Sequence, residues 1–237
     1  MKKIFFALIL NLFFIYSVNA VEGMERYIEE CASFVERPKV ELTASYGKLR
    51  YRFDKGADYL RQETDKKFAE QDLTADVSFE PAGLTKVRDT FDLDFTASSF
   101  GLSHGYSCVY PETISARLEY SHPTIYILNT LEKDSCFYNV ALRHENTHMQ
   151  IYIEALDYFL PILKKYIEDL FDTIGFVVIA RDESEEEAAQ RLNKAYVDAI
   201  QNKIEEWHKE VEIEQLKLDS PENYALENML CQKAMNQ

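Results

Sequence analysis

An α+β fold is what this 237-residue sequence predicts, on three observations. Strand-like alternation and turn residues are concentrated between residues 38 and 130. Helical spacing takes over from about residue 135 to the end. Two strong helix starts, at Asp134-Ser135 and at Ser184-Glu185-Glu186-Glu187, fall inside that second half. The expected arrangement is an antiparallel β region packed on one long helix, with further C-terminal helices closing the far side. The chain from 21 to 237 is expected to form a single α+β domain, or two small, intimately packed ones.

Each element has its own signal. Residues 39–53, KVELTASYGKLRYRF, alternate and break at Tyr46-Gly47, which predicts a β-hairpin. Residues 57–71 read as a short helix. The runs DVSFE, FDLDFTASSF, SCVYP, TISARLEYS and TIYIL read as strands, with Ser121-His122-Pro123 separating the last two as a hairpin turn would. A helix is predicted from Cys136 to about Leu160, capped by Asp134 or Ser135 and ended or kinked by Pro161. A second helical piece covers 162–172. A third opens at Ser184 and reaches about Leu218; its acidic first turn suits the positive end of a helix dipole. Asp219 to Tyr224, DSPENY, is a turn, and a short helix carrying Cys231 follows.

The first twenty residues read differently. Lys2 and Lys3 precede an apolar run from Ile4 to Tyr16, and Val18-Asn19-Ala20 offers small residues where a signal peptidase reads. A signal peptide over residues 1–20, cleaved after Ala20, is expected, and with it a secreted or periplasmic protein. The run is short for a membrane span and no later segment replaces it, so no stable membrane insertion is expected after cleavage. The formal charge is −15, and loss of Lys2 and Lys3 makes it more negative still. Such a chain repels nucleic acid and anionic lipid. The four cysteines, Cys31, Cys108, Cys136 and Cys231, all follow the apolar run, and an even number in an exported chain predicts two disulfides. Of three pairings, Cys108 with Cys136 and Cys31 with Cys231 is the favoured expectation.

The chemistry concentrates at His144-Glu145-Asn146-Thr147-His148. Phe137, Ala141, His144, His148, Tyr152, Ala155 and Phe159 recur at spacings of three and four and so share one helix face. All but the histidines are apolar or aromatic, so that face points inward. Arg143, Asn146, Thr147, Gln150, Glu154 and Asp157 make the opposite, polar face. Glu145 aligns with Leu142, Met149 and Leu156 on a flank that should be mostly buried, where an unused carboxylate is costly. One helical turn sets two imidazoles side by side, where both can bind one zinc ion at roughly 2.0–2.1 Å. Zinc activates water and polarises a carbonyl, and the adjacent glutamate is placed to take the water's proton. The competing reading is a pair of buried core histidines hydrogen-bonded to backbone or tyrosine.

This stretch resembles the H-E-x-x-H helix of the zincin metallopeptidases. HENTHMQIYIEAL is more closely similar to a group of uncharacterised secreted bacterial proteins described as zinc-dependent proteases, and IYILNTLEKDSC and EQLKLDSPENYALENMLC share that similarity. The resemblance spans about residues 105–231, with only the helix motif specific. It implies Zn²⁺ as cofactor, His144 and His148 as ligands, Glu145 as general base, and a peptide or protein substrate of unstated kind. The chain departs from the metzincin pattern, having Ile151 where glycine is required and Glu154 where the third histidine stands. Glu154 falls on the polar face and is set aside. Glu168, in a thermolysin-like position, and His208, Asp219, Glu222, His104 and His122 all remain open as the third ligand. In zincins a strand beside the helix often pairs with substrate; TIYIL, 124–128, is the edge-strand candidate, with an internal strand as the equal alternative. Two functions follow: a secreted zinc peptidase, which could act on proteins or on the cell wall, and a non-catalytic exported binding or scaffold protein with core histidines or a structural metal.

Overall fold

Helix formation begins before the β region, in residues 23–32 (α1), a stretch the sequence reading left unassigned. The structure is a computed structural model and describes residues 23–70 and 81–235. The expected signal peptide and the strand-like DVSFE lie outside those residues. After α1 come β1 (Lys39–Ser45), β2 (Arg50–Lys55), α2 (Ala57–Glu70), β3 (Gly83–Gly101), a 3₁₀ turn (Ser103–Gly105), β4 (Ser107–Leu128), α3 (Cys136–Thr173), β5 (Val177–Ile179), α4 (Glu185–Leu218) and α5 (Pro221–Met235). The fold is α+β, as expected. Among the described residues no helix is long and apolar enough to cross a membrane.

The sheet is built around β4, which pairs with each of the other four strands. It is mixed rather than antiparallel: β2 runs parallel to β4, with Arg50 opposite Thr124 and Lys55 opposite Leu128, and β5 runs antiparallel, with Ser107 opposite Ile179. The expected hairpin over 39–53 does not form, because β1 and β2 each pair with β4 instead. Gly47, at φ +61°, lets the chain cross between them; a Cβ there would come within 2.8 Å of Pro123 Cδ. Nor does the chain reverse at Ser121-His122-Pro123. His122 absorbs the irregularity at φ +53° and the strand continues. TIYIL is therefore internal. It pairs with β2 on one side, while Leu128 N–H donates to Ala82 C=O at 2.9 Å on the other. Ile125 and Ile127 are fully buried.

α3 and α4 begin where the caps predict, whereas α5 starts earlier than expected, at Pro221 within the stretch read as a turn. Ser135 Oγ accepts from the Tyr138 N–H at 3.2 Å, Ser184 Oγ from Glu187 N–H at 3.4 Å, and Ser220 Oγ from Asn223 N–H at 3.3 Å just ahead of Pro221. Pro161 neither ends nor splits α3, which is one helix of 38 residues. The missing N–H orphans the Asp157 carbonyl, and both Asp157 and Pro161 are exposed, so water can take it.

The chain divides into two compact units, and β1, β3, β4, α3 and α4 contribute residues to both. One comprises the described residues up to Glu41, Leu93–Ser115 and Lys164–Gln201. Val109, Ile179 and Ala188 form its core with Ala97, Val177 and Ala189 packed against them, and Cys31–Cys108 ties α1 to β4. The other comprises Leu42–Asp92, Ala116–Leu163 and Asn202–Gln237. Phe159 stacks on Trp207 within it, with ring centres 4.7 Å apart, and Cys136–Cys231 ties the start of α3 to α5. Both disulfides are present, but the pairing is not the expected one. Most of the chain between Cys108 and Cys136 is β4 itself, a strand of 22 residues, so a short sequence separation is spent on extended length and not on a return.

Candidate metal centre

The residues that build the site belong to the second unit. The motif sits in the third and fourth turns of α3, and its key side chains face inward: His144 is 4%, Glu145 5% and His148 5% exposed. Met149, Leu156 and Phe159 are buried with them, as the spacing predicts. Phe137 is not; it is 40% exposed in the first turn of α3, where it lines the cleft described below. Asn146 and Thr147, between the histidines, return their side chains to the helix's own carbonyls at Leu142 and Arg143.

Asp219 completes the group. Its N–H closes the last turn of α4 on Gln215 C=O at 3.1 Å, and its carboxylate is presented to α3 from the α4–α5 junction. Asp219 Oδ1 lies 3.2 Å from His144 Nε2 and 3.0 Å from His148 Nε2, and the two Nε2 atoms are 3.1 Å apart. These three residues could hold a metal ion. A tetrahedral zinc site with bonds of about 2.0–2.2 Å has ligand–ligand edges of about 3.3 Å, close to this triangle.

The far side of each imidazole explains why this triangle presents lone pairs. His144 Nδ1 is 3.0 Å from Glu227 Oε2 on α5. An ionised carboxylate only accepts, so Nδ1 carries the proton and donates. His148 Nδ1 faces Gln215 Oε1. The Gln215 amide nitrogen is committed to the His148 carbonyl at 3.2 Å, which leaves its oxygen as the acceptor for Nδ1–H. In its neutral form each imidazole is thereby held in the tautomer that turns an Nε2 lone pair toward Asp219. Such outer partners orient ligands and raise their basicity. Tyr224 adds two contacts: its hydroxyl donates to Asp219 Oδ1 at 2.7 Å and its ring stacks on His144 with centres 5.0 Å apart.

The local field is negative. Burial alone would lower the His144 pKa, but the hydrogen bond to Asp219 and the charges of Glu145, Glu227 and Asp219 outweigh it and raise it. Glu145 is pushed up by burial, against the opposing pull of His148, His144 and the Thr85 hydrogen bond. The Thr85 hydroxyl lies 2.8 Å from Glu145 Oε2 and 2.9 Å from the Glu145 carbonyl. Gly83, the first residue of β3, lies directly against the same side chain. In front of His144 and Glu145 opens a cleft of about 130 Å³, walled by Gly83, Leu131, Phe137, Val140 and Tyr224.

Of the third-ligand candidates, only Asp219 joins the histidines. His208 faces Asp89 at 2.8 Å, Glu168 pairs with Lys164, and Glu222 is exposed in the first turn of α5. His104 lies in the 3₁₀ turn against Tyr27, and His122 marks the irregularity in β4. Glu154 accepts from Gln150 on the exposed face, in keeping with its being set aside. The sequence reading missed Gly83, Thr85, Gln215, Tyr224 and Glu227 as site residues. A signal was present only for Gln215, which stands one helical turn before Asp219. Compared with known proteins, the chain matches no family model, no curated protein and no solved structure.

Proposed function

We propose that the protein is a secreted zinc-dependent peptidase in which His144, His148 and Asp219 hold the ion and Glu145 is the general base. The observation that carries this reading is the convergence of two Nε2 lone pairs and a carboxylate oxygen, with both Nδ1 protons fixed by Glu227 and Gln215. Two imidazoles and a carboxylate form the donor set of a catalytic zinc, which keeps its fourth position for water or substrate. Zinc bound there supplies Lewis acidity, polarising a carbonyl and acidifying water. Glu145 takes the proton at its carboxylate. Its burial raises its basicity, and Thr85 steadies Oε2, so one oxygen is anchored while the other remains for proton transfer. The cleft beside Glu145 has room for a small apolar side chain. The two disulfides agree with an oxidising compartment.

Purified protein should contain about one zinc per chain. Glu145→Gln should keep that zinc and lose hydrolysis of an unstructured protein substrate by roughly 10²–10⁴-fold, the usual contribution of positioned acid–base catalysis. A Glu145→Gln protein with its metal and its full activity would remove the proposed chemistry. A second reading, a structural metal in a non-catalytic exported protein, draws support from the near-complete burial of both imidazoles. It predicts that metal loss unfolds the chain and that Glu145→Gln changes stability alone.

A further inference from the structure

Behind the metal centre, on the Nδ1 side of His148, the second unit contains a separate cavity of about 190 Å³ that the proposed hydrolysis does not use. Its walls are aromatic and its charges negative. Tyr120, Tyr152 and Trp207 supply the rings, Asp89 and Glu212 the carboxylates, and His208, hydrogen-bonded to Asp89 at 2.8 Å, the one basic side chain; neither lysine nor arginine lines it. The hydrogen bond from His208 holds the carboxyl of the exposed Asp89 below its usual value, so the group is ionised at neutral pH. Trp207 is 5% exposed, and its indole N–H has no partner among the described residues. Trp207 and Val211 are shared with an open groove of about 500 Å³ between α3 and α4. The groove is apolar along Ile151, Tyr158 and Ile213, with Tyr158 72% and Ile213 54% exposed, and it is edged by Glu154, Glu210 and Glu214.

Aromatic faces attract a cation through their quadrupole, and nearby carboxylates add Coulomb attraction and charge-assisted hydrogen bonds. The cavity is smaller than the roughly 300–1,000 Å³ typical of drug-sized ligands, so one side chain fills it. The groove beside it carries the complementary features for that side chain's neighbours: exposed apolar surface with an acidic border.

We propose that this cavity receives the lysine or arginine side chain of a cationic peptide segment whose apolar neighbours lie in the α3–α4 groove. The site is independent of hydrolysis. Its link to the metal centre is Gln215, which lines the cavity and accepts from His148.

Trp207 is the chain's single tryptophan, so its fluorescence reports on the cavity directly. The test titrates the full-length mature protein with two capped tripeptides, Leu-Arg-Leu and Leu-citrulline-Leu, which differ in charge and hardly in shape. Fluorescence is read together with calorimetry, in the native protein and in Glu145→Gln, where cleavage is prevented. The arginine peptide should bind about tenfold or more tightly than its neutral counterpart, the scale of one charge-assisted contact. Both proteins should agree. The preference should vanish in Asp89→Asn/Glu212→Gln, or shrink in Glu212→Gln alone should the double variant fold poorly. Equal affinity for the two peptides, no binding of either at millimolar concentration, or a preference undiminished by those substitutions would overturn the proposal. A failure here with Glu145→Gln still inactive leaves the peptidase reading intact, and the converse result separates them equally.

Discussion

Gly83 and Glu145 are packed so closely that only a hydrogen fits between them: a Cβ on Gly83 would lie 2.6 Å from Glu145 Cγ and 2.7 Å from Oε1. The first residue of β3 thus sets the position of the proposed base on α3, and Thr85, two residues on and on the same face of the strand, bonds its other oxygen. Gly83→Ala should displace the carboxylate and cost about 1–3 kcal/mol of stability, as overpacking does. Zinc should be retained, since neither imidazole is touched, while hydrolysis falls steeply. Chemical denaturation, metal analysis and an activity assay together check this; a Gly83→Ala protein with unchanged activity would show that the position of Glu145 is not critical.

Asp219 should prove the third ligand. Asp219→Ala is expected to lose zinc, whereas Glu168→Gln and Glu222→Gln should keep it. Zinc content after dialysis against a weak chelator is the measurement, and retention by Asp219→Ala would exclude the proposed ligand set.

The partners of Nδ1 should matter almost as much as the ligands. Gln215→Leu and Glu227→Leu remove an acceptor from one imidazole each, so each should weaken zinc binding by about 10–100-fold. Competition with a fluorescent chelator gives the numbers. Affinities equal to that of the native protein would mean the tautomers are not held by these contacts.

Cys136–Cys231 joins the helix that carries both histidines to the helix that carries Tyr224 and Glu227. A double Cys136→Ser/Cys231→Ser variant should lose about 2–5 kcal/mol of stability, the range for removing a native disulfide, and its zinc affinity should fall as α5 loosens. Cys31→Ser/Cys108→Ser should destabilise without a comparable loss of zinc affinity. Equal effects of the two variants on zinc would argue against α5 as the support of the centre.

Non-reducing peptide mapping of exported protein should recover the linkages Cys31–Cys108 and Cys136–Cys231 and no others. Free thiols in that material would contradict both the pairing and the oxidising compartment.

The sequence by itself determined the α+β class, the inward-facing pair His144 and His148 with Glu145 buried beside them, and the starts of α3 and α4 at Ser135 and Ser184. Those features are local. Helical spacing and caps depend on residues within a turn or two of each other, so a single chain shows them. The tertiary structure alone decided the rest. Asp219 meets the histidines from 75 and 71 residues away, and Glu227 reaches His144 across 83. Thr85 and Gly83 approach Glu145 from the opposite direction in sequence, and the disulfides close over 77 and 95 residues. No local propensity marks such meetings. They depend on where long elements end: on β4 running straight through His122 instead of turning, which made TIYIL internal and carried Cys108 away from Cys136, and on α4 stopping at Leu218, which sets Asp219 at the helix end, facing the two imidazoles.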